Sequence, residues 1–143
     1  MKELKMPSVV EIDGGFSITN PTLASYHREA DRITEFLKAD ANLLDPAALT
    51  FRLNEMDAWL ARLTDMQIRA KAMREYAKRL FLQANEEALS KMTATNSNRI
   101  VTTFLYEFTI TVDRLDTLYQ TLSTMSRNLV TQISFIKQQM QMR

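Results

Sequence analysis

Hydrophobic side chains after Asn20-Pro21 recur at the spacing of one helical face. An Asn side chain can accept hydrogen bonds from the first backbone N–H groups of a helix, and Pro suits the first helical position. Apolar residues then follow at intervals of three and four residues, which is typical of an amphipathic helix. We predict a first helix over residues 20–42. Its apolar stripe is formed by Leu23, Tyr26, Ala30, Ile33 and Leu37.

A second start signal, Asp45-Pro46, opens a much longer apolar pattern. The pattern has a seven-residue period with two seams, one carrying mostly Ala and the other carrying large side chains, as in coiled coils. Small side chains on one seam let a neighbouring helix approach closely. We predict a second helix over residues 45–92. The seams comprise Met56, Leu63, Ala70, Ala77 and Ala84, and Trp59, Met66, Met73 and Leu80.

A third helix is predicted over residues 98–142, after a polar turn at residues 93–98. Its apolar positions alternate between spacings of four and three residues throughout. Ser126 is the one polar member, and we expect it to help fix the register of packing. The seam comprises Val101, Leu105, Phe108, Val112, Leu115, Tyr119, Leu122, Ser126, Leu129, Ile133, Ile136 and Met140.

At the start of the chain, apolar and polar residues alternate with a period of two. Val10 and Ile12 precede Asp13-Gly14-Gly15, and Phe16 and Ile18 follow it. Because Gly supplies the positive φ angles of a tight turn, residues 1–19 are predicted to form a β-hairpin arm. A two-stranded ribbon is marginal alone in water, so it must dock on helices or on another copy. The alternative is an ordered arm with no further role.

Together these elements predict a mainly all-α protein with a single domain over residues 1–143. The second and third helices form a long antiparallel helical hairpin, a coiled-coil-like bundle, with the shorter first helix along it. A first helix of about 30 Å cannot cover a hairpin of about 70 Å, so the rest of the seam needs a partner chain. We therefore expect a homodimer or higher homo-oligomer. The alternative is a four-helix monomer whose long helix breaks near residues 86–88.

Two further apolar residues strengthen the expectation of a partner. Tyr106 and Ile110 lie four residues apart on the third helix and point away from its main seam. We predict that they contact a partner, as do Phe16 and Ile18 of the arm. The partner is a second copy of the chain or another protein.

Composition excludes several kinds of site. The chain has 2 Gly, 3 Pro, no Cys and one His among 143 residues, and residues 47–143 contain neither Gly nor Pro. Gly-rich phosphate loops, Cys/His zinc sites, disulfides and Cys nucleophiles are therefore unavailable. We expect no enzyme, no cofactor and no metal site. We also expect no signal peptide and no membrane partner, because no apolar run approaches roughly 18 residues.

The net charge is +1, but the charges are unevenly placed, and residues 67–85 carry five basic side chains against one acidic side chain. A basic patch beside an aromatic residue can bind the phosphates of single-stranded nucleic acid or of a nucleotide. The alternative is a solvated face that flanks the core of a bundle. The patch comprises Lys71, Arg74, Lys78 and Arg79, with Gln67 and Phe81 beside it.

The polar residues of the first helix give little sign of catalysis. His27 is followed four residues later by Asp31, and a surface His hydrogen-bonded to that carboxylate is the simplest interpretation. The acidic residues lack the Glu-x-x-His motifs of di-iron bundles. We interpret them as a solvated face that can meet the basic segment 69–79 within or between chains. They are Glu29, Asp31, Glu35 and Asp40.

Residues 118–122 read Leu-Tyr-Gln-Thr-Leu, and residues 127–137 contain the core Arg-Asn-Leu-Val-x-Gln-Ile. In this C-terminal third the chain resembles small, uncharacterised helical proteins of phages and prophages, some of them encoded among recombination or early genes. The resemblance does not extend to the N-terminal arm and carries over no functional residue. It implies an accessory or host-takeover protein in the cytoplasm of a bacterial host.

These observations predict a non-enzymatic, self-associating helical protein that acts by binding. A protein of the host or of the phage is the first candidate ligand. The alternative ligand is an anion, either single-stranded nucleic acid or a sequestered nucleotide signal, held by the basic patch between chains. An enzyme ranks third, because the usual catalytic residue types are missing or isolated.

Overall fold

The computed structural model describes residues 20–39 and 45–142, and this part of the chain is all-α. The predicted β-hairpin arm of residues 1–19, with Phe16 and Ile18, lies outside the described residues. So do residues 40–44, which include the predicted end of the first helix. The helices are α1 (Asn20–Lys38), α2 (Pro46–Ala84), α3 (Glu86–Ser90), α4 (Ala94–Phe104) and α5 (Tyr106–Gln141).

The start signal at Asp45-Pro46 is confirmed, but the second helix ends earlier than predicted. Asp45 caps α2 by accepting a hydrogen bond from the Ala47 backbone N–H at 3.0 Å. At Asn85 the backbone departs from helical geometry, with φ −122° and ψ 18°. The Asn85 side chain is buried and donates to the Phe81 carbonyl oxygen at 2.9 Å. The Asn85 backbone N–H donates to the same oxygen at 3.1 Å, so the Phe81 carbonyl accepts from both donors where the helix departs from regular geometry without Gly or Pro.

The predicted third helix is also divided. Leu105 separates α4 from α5 with φ −86° and ψ 3°. The turn before α4 is shorter than the predicted 93–98, because Thr93 acts as the N-cap and accepts from the Asn96 backbone N–H at 3.3 Å. The polar cluster therefore begins a helix and does not form a loop. The breaks at Asn85 and Leu105 place the structure closer to the kinked alternative than to two continuous helices.

Helix α2 packs antiparallel against α5, as predicted. Met56 lies near Leu129, while Lys71 reaches Asp116, so the residue number falls along α5 as it rises along α2. The predicted seams are mainly buried, although Ala84 and Met140 are exposed. The main core cluster comprises Ile33, Leu49, Met56, Leu63, Met66, Ala70, Val112, Leu115, Leu122, Leu129 and Ile133.

Helix α1 covers the half of the hairpin that holds this main cluster, and its own stripe is buried as predicted at Leu23, Ala30 and Ile33. Past the first turn of α1, which contributes Leu23, the hairpin closes on itself, because α3 and α4 carry the chain back over α2. Phe81 stacks on Phe104 there with ring centroids 4.3 Å apart. The second cluster comprises Leu23, Met73, Ala77, Phe81, Leu89, Val101 and Leu105.

This second cluster corrects one step of the reasoning about partners. The seam beyond the reach of α1 was expected to need another chain, but its side chains are buried within a single chain. Apart from Met140, the large apolar side chains that remain exposed on the described helices lie outside the seam. None of the helices described is both long enough and apolar enough to cross a membrane.

Truncation of the central seam tests the fold. Leu63 is completely buried between α2 and α5, so Leu63→Ala leaves a cavity and is expected to lower the free energy of unfolding by about 2–5 kcal/mol. The matched control is Ile68→Ala on the same helix, because Ile68 is largely exposed and its truncation should cost about 0.5 kcal/mol or less. Urea denaturation followed by circular dichroism measures both values. Equal losses would contradict the packing described.

Candidate functional site

Arg114 of α5 joins several groups at the contact between α1 and α5. Its Nη1 atom lies 3.0 Å from His27 Nδ1 and 3.4 Å from the His27 carbonyl oxygen. Its Nη2 atom donates to the Asp31 carboxylate. On the other edge of the ring, His27 Nε2 lies 3.0 Å from Thr111 Oγ1. Residues 27 and 31 lie one turn apart, as do residues 111 and 114, so each helix presents both of its groups on one face.

The hydrogen bonds assign the neutral Nε2–H tautomer to His27. A guanidinium group can only donate, so Nδ1 accepts from Arg114. The Thr111 hydroxyl donates to the Glu107 carbonyl oxygen at 2.8 Å, so it accepts from His27 Nε2–H. Both ring nitrogens are therefore occupied in joining two helices.

Asp31 bonds to Arg114, which corrects the predicted pairing of His27 with the Asp31 carboxylate. The hydrogen bond from the Arg114 guanidinium lowers the pKa of Asp31 below its ordinary value, and the charge of Arg114 acts in the same direction. One turn earlier, burial raises the pKa of Tyr26 above its ordinary value. Both shifts come from the docking of α1.

The acidic side chains of α1 pair with basic residues outside segment 69–79. Glu29 Oε1 lies 3.0 Å from Arg32 Nη1, and Glu29 Oε2 lies 2.7 Å from Arg62 Nη2. Glu35 lies 3.9 Å from Lys38. We predicted that this acidic face could meet the basic segment 69–79. Within the described residues of one chain, none of its carboxylates pairs with a basic residue of that segment. Asp40 lies outside the residues described.

Four basic side chains predicted to bind anions project from α2, and the first of them is already paired. Lys71 Nζ lies 3.4 Å from Asp116 Oδ1. Gln67 Nε2 donates to the same oxygen at 2.7 Å. Lys71 thus contributes to the contact between α2 and α5 and is only partly available to a ligand. We call the four residues the basic strip: Lys71, Arg74, Lys78 and Arg79.

The other members of the basic strip have no carboxylate partner in the part of the chain that the structure describes. Lys78 and Arg79 are exposed, and Arg74 is half-buried. The Arg79 guanidinium lies over the Tyr76 ring, 5.5 Å from its centroid. Glu75 is exposed between them on the helix surface and reduces the local positive potential. Three cations are thus available to an anion.

The aromatic residue expected beside the basic patch is not at the surface. Phe81 is fully buried and stacks on Phe104 in the second core cluster. It cannot stack on a nucleic-acid base in this fold. The aromatic residue in contact with the basic strip is Tyr76, because its half-buried ring lies under the Arg79 guanidinium.

A second line of residues, with the same alternating spacing of four and three, follows the face of α5 opposite its buried seam. Tyr106 and Ile110 were predicted to point outward, and their exposed fractions are 62% and 39%. Sequence analysis missed the continuation of this line because its other members are polar. All of its members are exposed. We call it the outer seam of α5: Tyr106, Ile110, Asp113, Thr117, Gln120, Thr124, Arg127, Thr131, Ser134 and Gln138.

The outer seam carries only two charged residues, Asp113 and Arg127. Its other polar members are Thr, Ser and Gln, and the Thr131 hydroxyl donates to the Arg127 carbonyl oxygen of its own helix at 3.2 Å. Protein interfaces are depleted of charge at their centres and contain Tyr frequently. The outer seam therefore has the character of a contact surface.

Other surface features offer less chemistry. A groove of about 440 Å³ lies between α1 and α2, and its lining includes Glu29, Arg62 and Asp65. These groups are already paired, Glu29 with Arg62 and Asp65 with Arg69. No group of three or more His, Cys, Asp or Glu side chains that could hold a metal ion occurs in residues 20–39 and 45–142.

Two surfaces of the described residues are candidates for a binding site, the outer seam of α5 and the exposed part of the basic strip. Comparison of the chain with protein-family models, with curated proteins and with solved structures finds no match. Function is therefore inferred from these two surfaces.

The ion pair of Asp31 predicts a pH dependence of stability. Because the pKa of Asp31 is lower in the folded chain than the ordinary value of about 3.9, the pair stabilises the fold above that value. The contribution is lost as the pH falls through the folded pKa. Asp31→Asn should therefore lower the free energy of unfolding at pH 6.5, and the difference from wild type should shrink at pH 3. Urea denaturation at both pH values measures it, and a difference that stays constant would contradict the assigned pair.

Proposed function

We propose that the chain is a non-enzymatic, self-associating helical binding protein that acts through protein–protein contacts. The outer seam of α5 is the observation that supports this proposal. It combines exposed apolar side chains at Tyr106 and Ile110 with a long run that has few charges. A helix face that is only solvated usually carries more charge, as the outer face of α2 does around Arg62 and Asp65.

The resemblance to small phage and prophage proteins supports a role in phage infection of a bacterial cell. We propose an accessory or host-takeover protein of a phage or mobile element, working in the cytoplasm of a bacterial host. In that setting a protein of the host or of the phage is the functional ligand. Self-association through the outer seam then presents two copies of each surface that stays outside the contact, which raises avidity where both can engage.

Sedimentation velocity tests self-association. We expect the wild-type chain to form dimers at micromolar concentration, and Tyr106→Ser with Ile110→Ser to weaken the dimer at least tenfold, because truncation of a Tyr hot spot in an interface costs about 2 kcal/mol or more. Ile68→Ser is the control, since Ile68 is about as exposed as Tyr106 but lies on α2. A wild-type chain that stays monomeric at micromolar concentration would contradict the proposal.

A second function, anion binding, is supported by a different observation. Arg74, Lys78 and Arg79 lie within two turns of α2, and in the described chain they have no carboxylate partner. Phosphates of single-stranded nucleic acid or of a nucleotide are suitable ligands for such a cluster. Glu75 opposes such binding, so the affinity depends on the remaining cations.

Salt dependence tests anion binding. If the strip binds single-stranded nucleic acid, Arg74→Ala with Lys78→Ala should lower the slope of log affinity against log salt by about 1.4, since each phosphate contact contributes about 0.7. Lys137→Ala on α5 is the control and should leave the slope unchanged. For nucleotides, a rise in melting temperature with ligand concentration is the readout. Absence of binding at low salt, together with no thermal shift, would remove this function.

A further inference from the structure

We propose that two copies of this chain pair through the outer seam of α5 in antiparallel orientation, with the two helices crossing at Gln120. The inference rests on the proposed self-association and specifies its surface and register. Two observations on α5 lead to this register. The first is the placement of the charged residues of the outer seam, and the second is the placement of exposed apolar residues in and beside that seam.

The charged residues of the outer seam lie symmetrically about Gln120. Asp113 and Arg127 are each seven residues from Gln120, which is two helical turns. Neither makes an ion pair within the described part of the chain. A two-fold axis at Gln120 places Asp113 of each copy opposite Arg127 of the other, so the contact contains two opposite-charge pairs.

A parallel arrangement in register has the reverse effect. It places Asp113 against Asp113 and Arg127 against Arg127, and both contacts bring like charges together. Like-charge contacts in an interface are costly and exclude wrong arrangements. The charges of the outer seam therefore select the antiparallel pair.

The exposed apolar residues of α5 agree with the same axis. Tyr106 and Ile110 lie ten to fourteen residues before Gln120, and Val130 and Phe135 lie ten to fifteen residues after it. Val130 is 49% exposed and Phe135 is 58% exposed. Val130 and Phe135 lie on the two flanks of the outer seam, because five residues separate them by about 140° around the helix. In the antiparallel pair, Ile110 of one copy lies level with Val130 of the other. Apolar side chains therefore meet at the edge of the contact near both of its ends, and uncharged Thr and Gln side chains fill its middle.

Charge reversal tests the register. Asp113→Arg and Arg127→Asp should each weaken the dimer by about tenfold, because each creates two like-charge contacts. The double variant exchanges the two charges and should restore the dimer to within about threefold of wild type. Asp57→Arg is the control for net charge, since Asp57 is exposed on α2. Sedimentation velocity gives the dissociation constants.

A cysteine placed on the proposed axis gives an independent test. The natural chain has no Cys, so Gln120→Cys introduces the only thiol, and on the axis two such thiols come close enough to join. Oxidation should give a disulfide-linked dimer, and Ala58→Cys on α2 should not.

The possible outcomes separate the two proposals. Dimers that form no cross-link at Gln120 and show no rescue by the double variant would overturn the register, while self-association would stand. A chain that is monomeric at every concentration would overturn both, and would mean that another segment or another protein occupies the outer seam.

Discussion

The packing of α2 against α5 is the constraint on which the rest of the structure depends. Ala70 on α2 allows a close approach, while Leu115 and Leu122 on α5 fill the space between the helices, and Ala77 has the same place in the second cluster. This contact fixes the direction of both long helices and therefore the faces that remain outside. The basic strip and the outer seam are exposed because the apolar face of each helix packs in the core, which leaves the other face toward solvent.

Helix α1 depends on this frame and is held to it by arginine side chains. Arg52 of α2 donates to the Phe36 carbonyl oxygen at 3.2 Å and lies over the Phe36 ring, 4.6 Å from its centroid. Arg62 pairs with Glu29, and Arg114 reaches His27 and Asp31 from the other side. Each guanidinium offers several donors in fixed directions, so one side chain can engage two groups of α1 at once. A short helix is thereby given one orientation on a long hairpin.

Periodicity predicted the helical class, the buried seams and the outward direction of Tyr106 and Ile110, because these follow from spacing alone. It could not locate the breaks at Asn85 and Leu105, since the apolar spacing continues through both and neither residue is a Gly or Pro. Periodicity also could not predict hydrogen bonds between residues that are far apart in the sequence. Gln67 and Asp116 are 49 residues apart, and His27 and Arg114 are 87 apart, so no local pattern links them. The arm of residues 1–19 stays a prediction.

The stacking of Phe81 on Phe104 has a consequence for how the chain folds. These rings belong to segments joined by the short connection through α3, so bringing them together closes a small loop at little cost in chain entropy. Once Phe81 and Phe104 are in contact, the two long helices are held together at that end of the hairpin. Each further turn of α2 then packs on α5 with only a small additional loss of chain entropy. The hairpin can then zip from this end toward Pro46 and Gln141, and α1 docks on the finished groove. Such an order keeps contact formation local at every step, which favours rapid folding.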